Sequence, residues 1–140
     1  MRKDFYNSFK QTTVLKPIKV VSNATGNGTG TDLLGYEGVL MVASLGASAD
    51  VLDGSNYYTI KFLESSNNVV FSAIADTDLL GGNNTALIQA NASANSTHER
   101  SYIGSARYVT VSIAVAGTIA SGTPCTAHVI KGAPLHASIR

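Results

Sequence analysis

Residues Tyr108–Ala116, YVTVSIAVA, alternate between two kinds of side chain. Val109, Val111, Ile113 and Val115 take one side; Tyr108, Thr110, Ser112, Ala114 and Ala116 take the other. Successive side chains on a strand point to opposite faces, so a period of two rich in β-branched residues describes a strand with one face in a core. A helix would scatter the same valines around its axis. After a break at Gly117–Pro124, Cys125, Ala127 and Val129 alternate with Thr126, His128 and Ile130. The pattern predicts a long antiparallel hairpin, Tyr108–Ala116 beside Cys125–Ile130, with Val111 and Ile113 inside.

The rest of the chain reads in the same idiom. Val14–Lys16 and Ile18–Val21 are β-like around Pro17, which confines them to an edge or a bent strand because proline cannot donate to a ladder. Asn23–Asp32 reads as a Gly/Asn/Thr loop. Glu37–Leu45 is short and mostly apolar, which predicts a strand buried on both faces. Tyr57–Glu64 alternates, with Tyr58, Ile60 and Phe62 on one side, and Val69–Ala75 is expected to return beside it as a hairpin. A short helical turn is expected at Asp78–Leu80, and strands at Thr85–Asn91 and Glu99–Ile103. No helical period of twelve residues occurs. About eight short strands with Gly/Asn/Asp breaks predict an all-β antiparallel sandwich, best matched by a jelly roll. An immunoglobulin-like sandwich is second, without the Trp or the Cys pair that would support it. The expected division is an N-terminal arm, 1–19, and a single jelly-roll domain, 20–140.

Charge is scarce. Charged residues make up 14% of the 140, against about 25% in ordinary domains. Small neutral polar residues take their place, which suits a chain packed against others in an assembly better than a free enzyme. The net charge of +1 gives no global field for nucleic acid. Residues 1–19 nevertheless carry Arg2, Lys3, Lys10, Lys16 and Lys19 against Asp4 alone, and hold Phe5, Tyr6 and Phe9. Disordered tails are poor in aromatics, so this basic, aromatic arm is a candidate for docking on a partner. Arg2, Lys3, Phe5, Tyr6, Phe9 and Lys10 are its candidate contacts. No stretch approaches eighteen apolar residues and no apolar segment follows the N-terminal basic residues, so neither a membrane span nor a signal peptide is expected.

Nothing in the pattern resembles a catalytic or metal centre. The single cysteine, Cys125, sits in an alternating strand and reads as a small buried side chain. His98, His128 and His136 lack metal-ligand spacing. Asp76 and Asp78 have no second acidic pair to make a calcium loop. The GNGTG run at Gly26–Gly30 has the wrong spacing for a phosphate cradle, and a strand rather than a helix follows it. Five Asn-x-Ser/Thr triplets, at Asn23, Asn27, Asn83, Asn91 and Asn95, are explained by a composition rich in Asn and Thr. No cofactor and no enzymatic activity are expected. In Tyr102–Val109 a Gly turn leads through Arg107-Tyr108 into the strongest strand. Tyr102 and Tyr108 are expected to fill the end of the sandwich, and Arg107 is a candidate subunit contact.

The block RSYIGSARYVTVSIAVAGTIASGTP…AHVIKGAPLHA resembles the last third of small capsid-associated proteins of tailed bacteriophages. With its length and aromatic arm, the chain resembles the cement (decoration) proteins of short-tailed phages of the Bordetella-phage type, most specifically over residues 100–136. The resemblance implies a jelly roll on the outer surface of a capsid, made in the bacterial host cytoplasm. Its partner would be a major capsid protein of the tailed-phage fold, whose neighbouring subunits it clamps. Self-association is also expected, a dimer before a trimer, because copies on a symmetric shell commonly pair across two-fold axes. The competing class is a receptor- or carbohydrate-binding jelly roll, for which Tyr57 and Tyr58 are the candidate aromatic pair.

Overall fold

The computed structural model describes residues 6–22 and 25–134. Among them eleven strands form: β1 (Phe9–Val20), β2 (Thr25–Asn27), β3 (Thr31–Asp32), β4 (Tyr36–Leu45), β5 (Tyr57–Ser65), β6 (Ser72–Ala73), β7 (Leu79–Leu80), β8 (Thr85–Ile88), β9 (Ser96–Tyr102), β10 (Tyr108–Ala116) and β11 (Thr123–Pro134). Two short 3-10 turns, Asp76–Asp78 and Asn91–Ser93, are the only helical elements among these residues, and no helix is long and apolar enough to cross a membrane.

The front sheet runs β1-β11-β4-β9-β7; the back sheet runs β2-β10-β5-β6, with β3 beside β10 and β8 beside β5. Strands β3, β6 and β7 have two residues each. The other eight, in chain order, pair first with eighth, second with seventh, third with sixth and fourth with fifth, all antiparallel. A chain doubled into one long hairpin and wrapped into two facing sheets is a jelly roll. The all-β sandwich expected from the alternation is the observed fold.

Met41 and Ala43 of β4 and Ala127 and Val129 of β11 point inward from the front sheet. Tyr58, Ile60 and Phe62 of β5 and Val109, Val111 and Ile113 of β10 meet them from the back sheet, all fully buried. Each large side chain so buried contributes roughly 1.5–3 kcal/mol. Val111 and Ile113 are inside, as expected.

The predicted C-terminal hairpin does not form. Strand β10 pairs with β5, β2 and β3 in the back sheet, and β11 pairs with β1 and β4 in the front sheet. Alternation states which side chains are buried; it does not state which strand lies alongside. Two strands with one apolar face each are satisfied equally well side by side or facing across a core. The Gly117–Gly122 connection makes the crossing, with positive φ at both glycines. The Asp50 carboxylate accepts the N–H groups of Ala120, Ser121 and Gly122 and holds the crossing in place.

The two-sided burial expected of β4 belongs instead to β10. The outward residues of β4 are only half-buried. On β10, Thr110 and Ser112 are buried beneath the Asn27–Thr31 segment: Thr110 Oγ1 donates to Thr29 O and Ser112 Oγ to Asn27 Oδ1. Gly28 permits this approach, since a Cβ there would stand 2.4 Å from Val111 O. The segment read as a loop thus supplies β2 and β3. The return strand expected at Val69–Ala75 shrinks to Ser72–Ala73, and the expected turn sits at Asp76–Asp78. The two stretches around Pro17 merge into one edge strand, β1, with register shifts between Thr13 and Leu15 and between Leu15 and Ile18. Of the segment read as an arm, Phe9–Lys19 is therefore part of the front sheet.

Candidate functional site: the loop end of the sandwich

The turn between β3 and β4, the loop after β5 and the loop between β9 and β10 gather at one end of the sandwich. Each is held by its own hydrogen bonds. Tyr36 N donates to Leu33 O across a turn whose third residue, Gly35, has φ +87°, a value an L side chain resists. That turn leaves Leu34 at its apex, 71% exposed. In the loop after β5, Ser65 Oγ accepts from Asn67 N and Asn68 N, and Asn67 Oδ1 accepts from Val69 N and Val70 N. Val69 and Val70 stand out from it at 79% and 71% exposure. Between β9 and β10, Tyr102 is buried and its hydroxyl ties the loop down, donating to Glu64 Oε2 and accepting from Ala106 N. Burial, then the Glu64 hydrogen bond, push the Tyr102 pKa up. Ile103 beside it is 56% exposed. A cleft of about 500 Å³ lies between the Leu33–Glu37 and Tyr102–Arg107 segments.

Polar contacts run along the same end. Arg107 holds Asp32 with both prongs of its guanidinium, at 3.0 and 2.7 Å, and lies over the Tyr108 ring. The Arg107 hydrogen bond lowers the Asp32 pKa to about 2. Lys131, buried, donates to Asp32 O at 2.8 Å and lies 4.5 Å from the Tyr36 ring centroid. Burial lowers its pKa. Lys131 is paired in register with Lys10, and Gly132 with Phe9. The Phe9 ring occupies the space over Gly132, where a Cβ would come within 2.7 Å of it. Tyr6, exposed, precedes it.

Three of the sequence-derived candidates, Phe9, Lys10 and Arg107, thus fall at this end, Lys10 and Arg107 connected through Lys131 and Asp32, and Tyr6 lies three residues before Phe9. Arg2, Lys3 and Phe5 lie outside the described residues. The sequence reading missed Leu34, Val69, Val70 and Ile103. Their signal was apolar residues, three of them in the Leu33-Leu34 and Val69-Val70 pairs, next to Gly or Asn breaks, where the period of two fails.

Elsewhere the candidates separate. Tyr58 is in the core and Tyr57 on the outward face of β5, so the aromatic pair suggested for a sugar site splits across the sheet. Cys125 is buried and its pKa is pushed up to about 11 by burial. His98 is half-buried, which lowers its pKa, and its Nε2 contacts Ser96 Oγ at 3.0 Å. Among the described residues no three His, Cys, Asp or Glu side chains group as metal ligands.

No protein-family model and no curated protein matches this chain. Among solved structures it is similar to the SPBc2 prophage-derived protein YomS, at 16% identity over 95% of this chain and 100% of that one, TM-score 0.48. It is also similar to a chain from the disulfide-linked pili of Bacillus endospore appendages, at 15% identity over 96% of each, TM-score 0.43. Neither likeness bears on what this chain does.

Proposed function

We propose that this chain is a non-catalytic structural protein of a phage-type particle. It is a cement, or decoration, protein on the outer capsid surface that clamps neighbouring subunits of a major capsid protein. The observation that carries the proposal is the loop end, where Leu34, Val69, Val70 and Ile103 are each more than half exposed on loops already fixed by hydrogen bonds. Apolar side chains held out on rigid loops mark a contact surface, because docking them costs little ordering entropy. Phe9 and Lys10, at the start of β1, lie at the same end. The jelly roll serves as the rigid block that carries both.

The mechanism is linkage. A protein that binds the mature shell and not the ruptured one stabilises the mature shell by mass action, and many copies raise the effect through avidity. The test is co-sedimentation of the full chain with purified empty heads. Wild type should pellet in fixed stoichiometry with heads. Leu34→Asp combined with Val70→Asp should weaken binding at least tenfold, the equivalent of about 1.4 kcal/mol, without changing the melting temperature. Binding unaffected by that double variant would remove the loop end from the mechanism. No association with heads at all would end the cement proposal.

A further inference from the structure

The outward side chains of the front sheet are half-buried or exposed, and the register lays them out in rows. One row across the strands is Thr13, His128, Val42 and Glu99. The adjoining row runs Gln11, Ile130, Leu40, Ser101 and Leu80. Leu40, Val42 and Ile130 are half-buried and Leu80 is exposed. Apart from His128, Glu99 is the one ionisable side chain these rows carry among the described residues.

Glu99 and His128 flank Val42 on opposite sides, one strand away on each. Two strand spacings of ~4.8 Å put them ~10 Å apart, too far to pair within one copy. With the Gln11 amide donating to His128 Nδ1 at 3.0 Å, the ring proton stands on Nε2, whose contact to Thr126 Oγ1 is a long 3.3 Å.

We propose that this face binds a second copy of the chain, front sheet to front sheet, about a two-fold axis running along β4. Such an axis exchanges the two flanks of β4. It sets Leu40 on Leu40 and Val42 on Val42, and places His128 of each copy over Glu99 of the other, twice. The face is therefore complementary to itself: each His128 Nε2–H meets a Glu99 carboxylate, on either side of a centre made by Leu40 and Val42. Its size is sufficient. Five strands at ~4.8 Å and about seven residues at ~3.3 Å span roughly 550 Å² in plane, and side-chain relief brings this to the roughly 600–1,000 Å² per partner of a stable interface. Aligned packing of two such sheets is the ordinary geometry of sandwiches. The pairing would bridge two clamps on a shell, and that purpose rests on the cement proposal; the contact itself does not.

The test is sedimentation equilibrium of the full chain without heads. The wild type should be dimeric at about 100 μM. Glu99→Lys and His128→Glu should each raise the dissociation constant at least tenfold, about 1.4 kcal/mol. The double variant Glu99→Lys, His128→Glu rebuilds both cross-pairs with donor and acceptor exchanged and should recover to within about threefold of wild type. Leu40→Glu should give a folded monomer by circular dichroism. Leu34→Asp, at the loop end, should leave the dimer intact, so loss of head binding and loss of the dimer are read separately. A wild type still monomeric at about 1 mM would overturn the inference, as would a dimer indifferent to all three single variants. Weakening by both charge variants without rescue in the double would overturn the two-fold register.

Discussion

Tyr58 joins the two sheets through a single oxygen. Its buried hydroxyl donates to Val20 O at 2.8 Å and accepts from Thr123 N at 2.9 Å, so one side chain of the back sheet satisfies backbone groups at the end of β1 and the start of β11. Tyr58→Phe keeps the ring and leaves both groups unpaired in the core. The expected loss is about 1–3 kcal/mol, read as a lower urea midpoint at unchanged slope. An unshifted midpoint would show that water or a neighbour replaces the hydroxyl. Asp32 acts at the surface instead. Arg107 holds its folded-state pKa at about 2, below the ordinary 3.8. Because the folded value is the lower one, the ionised carboxylate stabilises the fold fully above about pH 4, and that contribution fades as the pH falls towards about 2. Both partners are nearly half exposed, so the effect should stay within about 1 kcal/mol. The stability difference between wild type and Asp32→Asn, followed across that window, should shrink towards acid; a difference constant with pH would rule the linkage out.

At the scale of elements, β1 decides where the N-terminal segment stops being an arm. Phe9 and Lys10 are already paired with Gly132 and Lys131. A deletion ending at residue 8 leaves β1 whole, and the melting temperature of the free protein should move by no more than about 2 °C. Binding to heads should weaken at least tenfold if the basic, aromatic residues dock on the shell. Unaltered binding would assign the clamp to the loops alone, and a collapsed melting temperature would make the segment part of the fold.

The whole molecule is one long hairpin wrapped on itself, so its first and last strands are neighbours in the same sheet. Removing β1 entirely should therefore unfold the domain rather than trim it, because Leu15 and Val20 belong to the common core and β11 loses its edge partner. The remaining chain is expected to show no cooperative thermal transition.

Period-two alternation determined a great deal unaided. It marked β5 and β10 as strands, put Tyr58, Ile60, Phe62, Val111 and Ile113 inside, and led to an all-β sandwich, because burial on one face writes itself directly into the order of side chains. The basic and aromatic content of residues 1–19 and the Arg107-Tyr108 step singled out Tyr6, Phe9, Lys10 and Arg107, and the fold brings Phe9, Lys10 and Arg107 to one end. Pairing was decided only in three dimensions. The partners of β10 and β11 lie far along the chain, and backbone hydrogen bonds are the same whichever strand supplies them. The burial of Thr110 and Ser112 waited on Gly28 closing over them. The exposed quartet of Leu34, Val69, Val70 and Ile103 is ambiguous locally, since an aliphatic side chain beside a Gly or Asn break reads as core until the turn is seen to carry it outward.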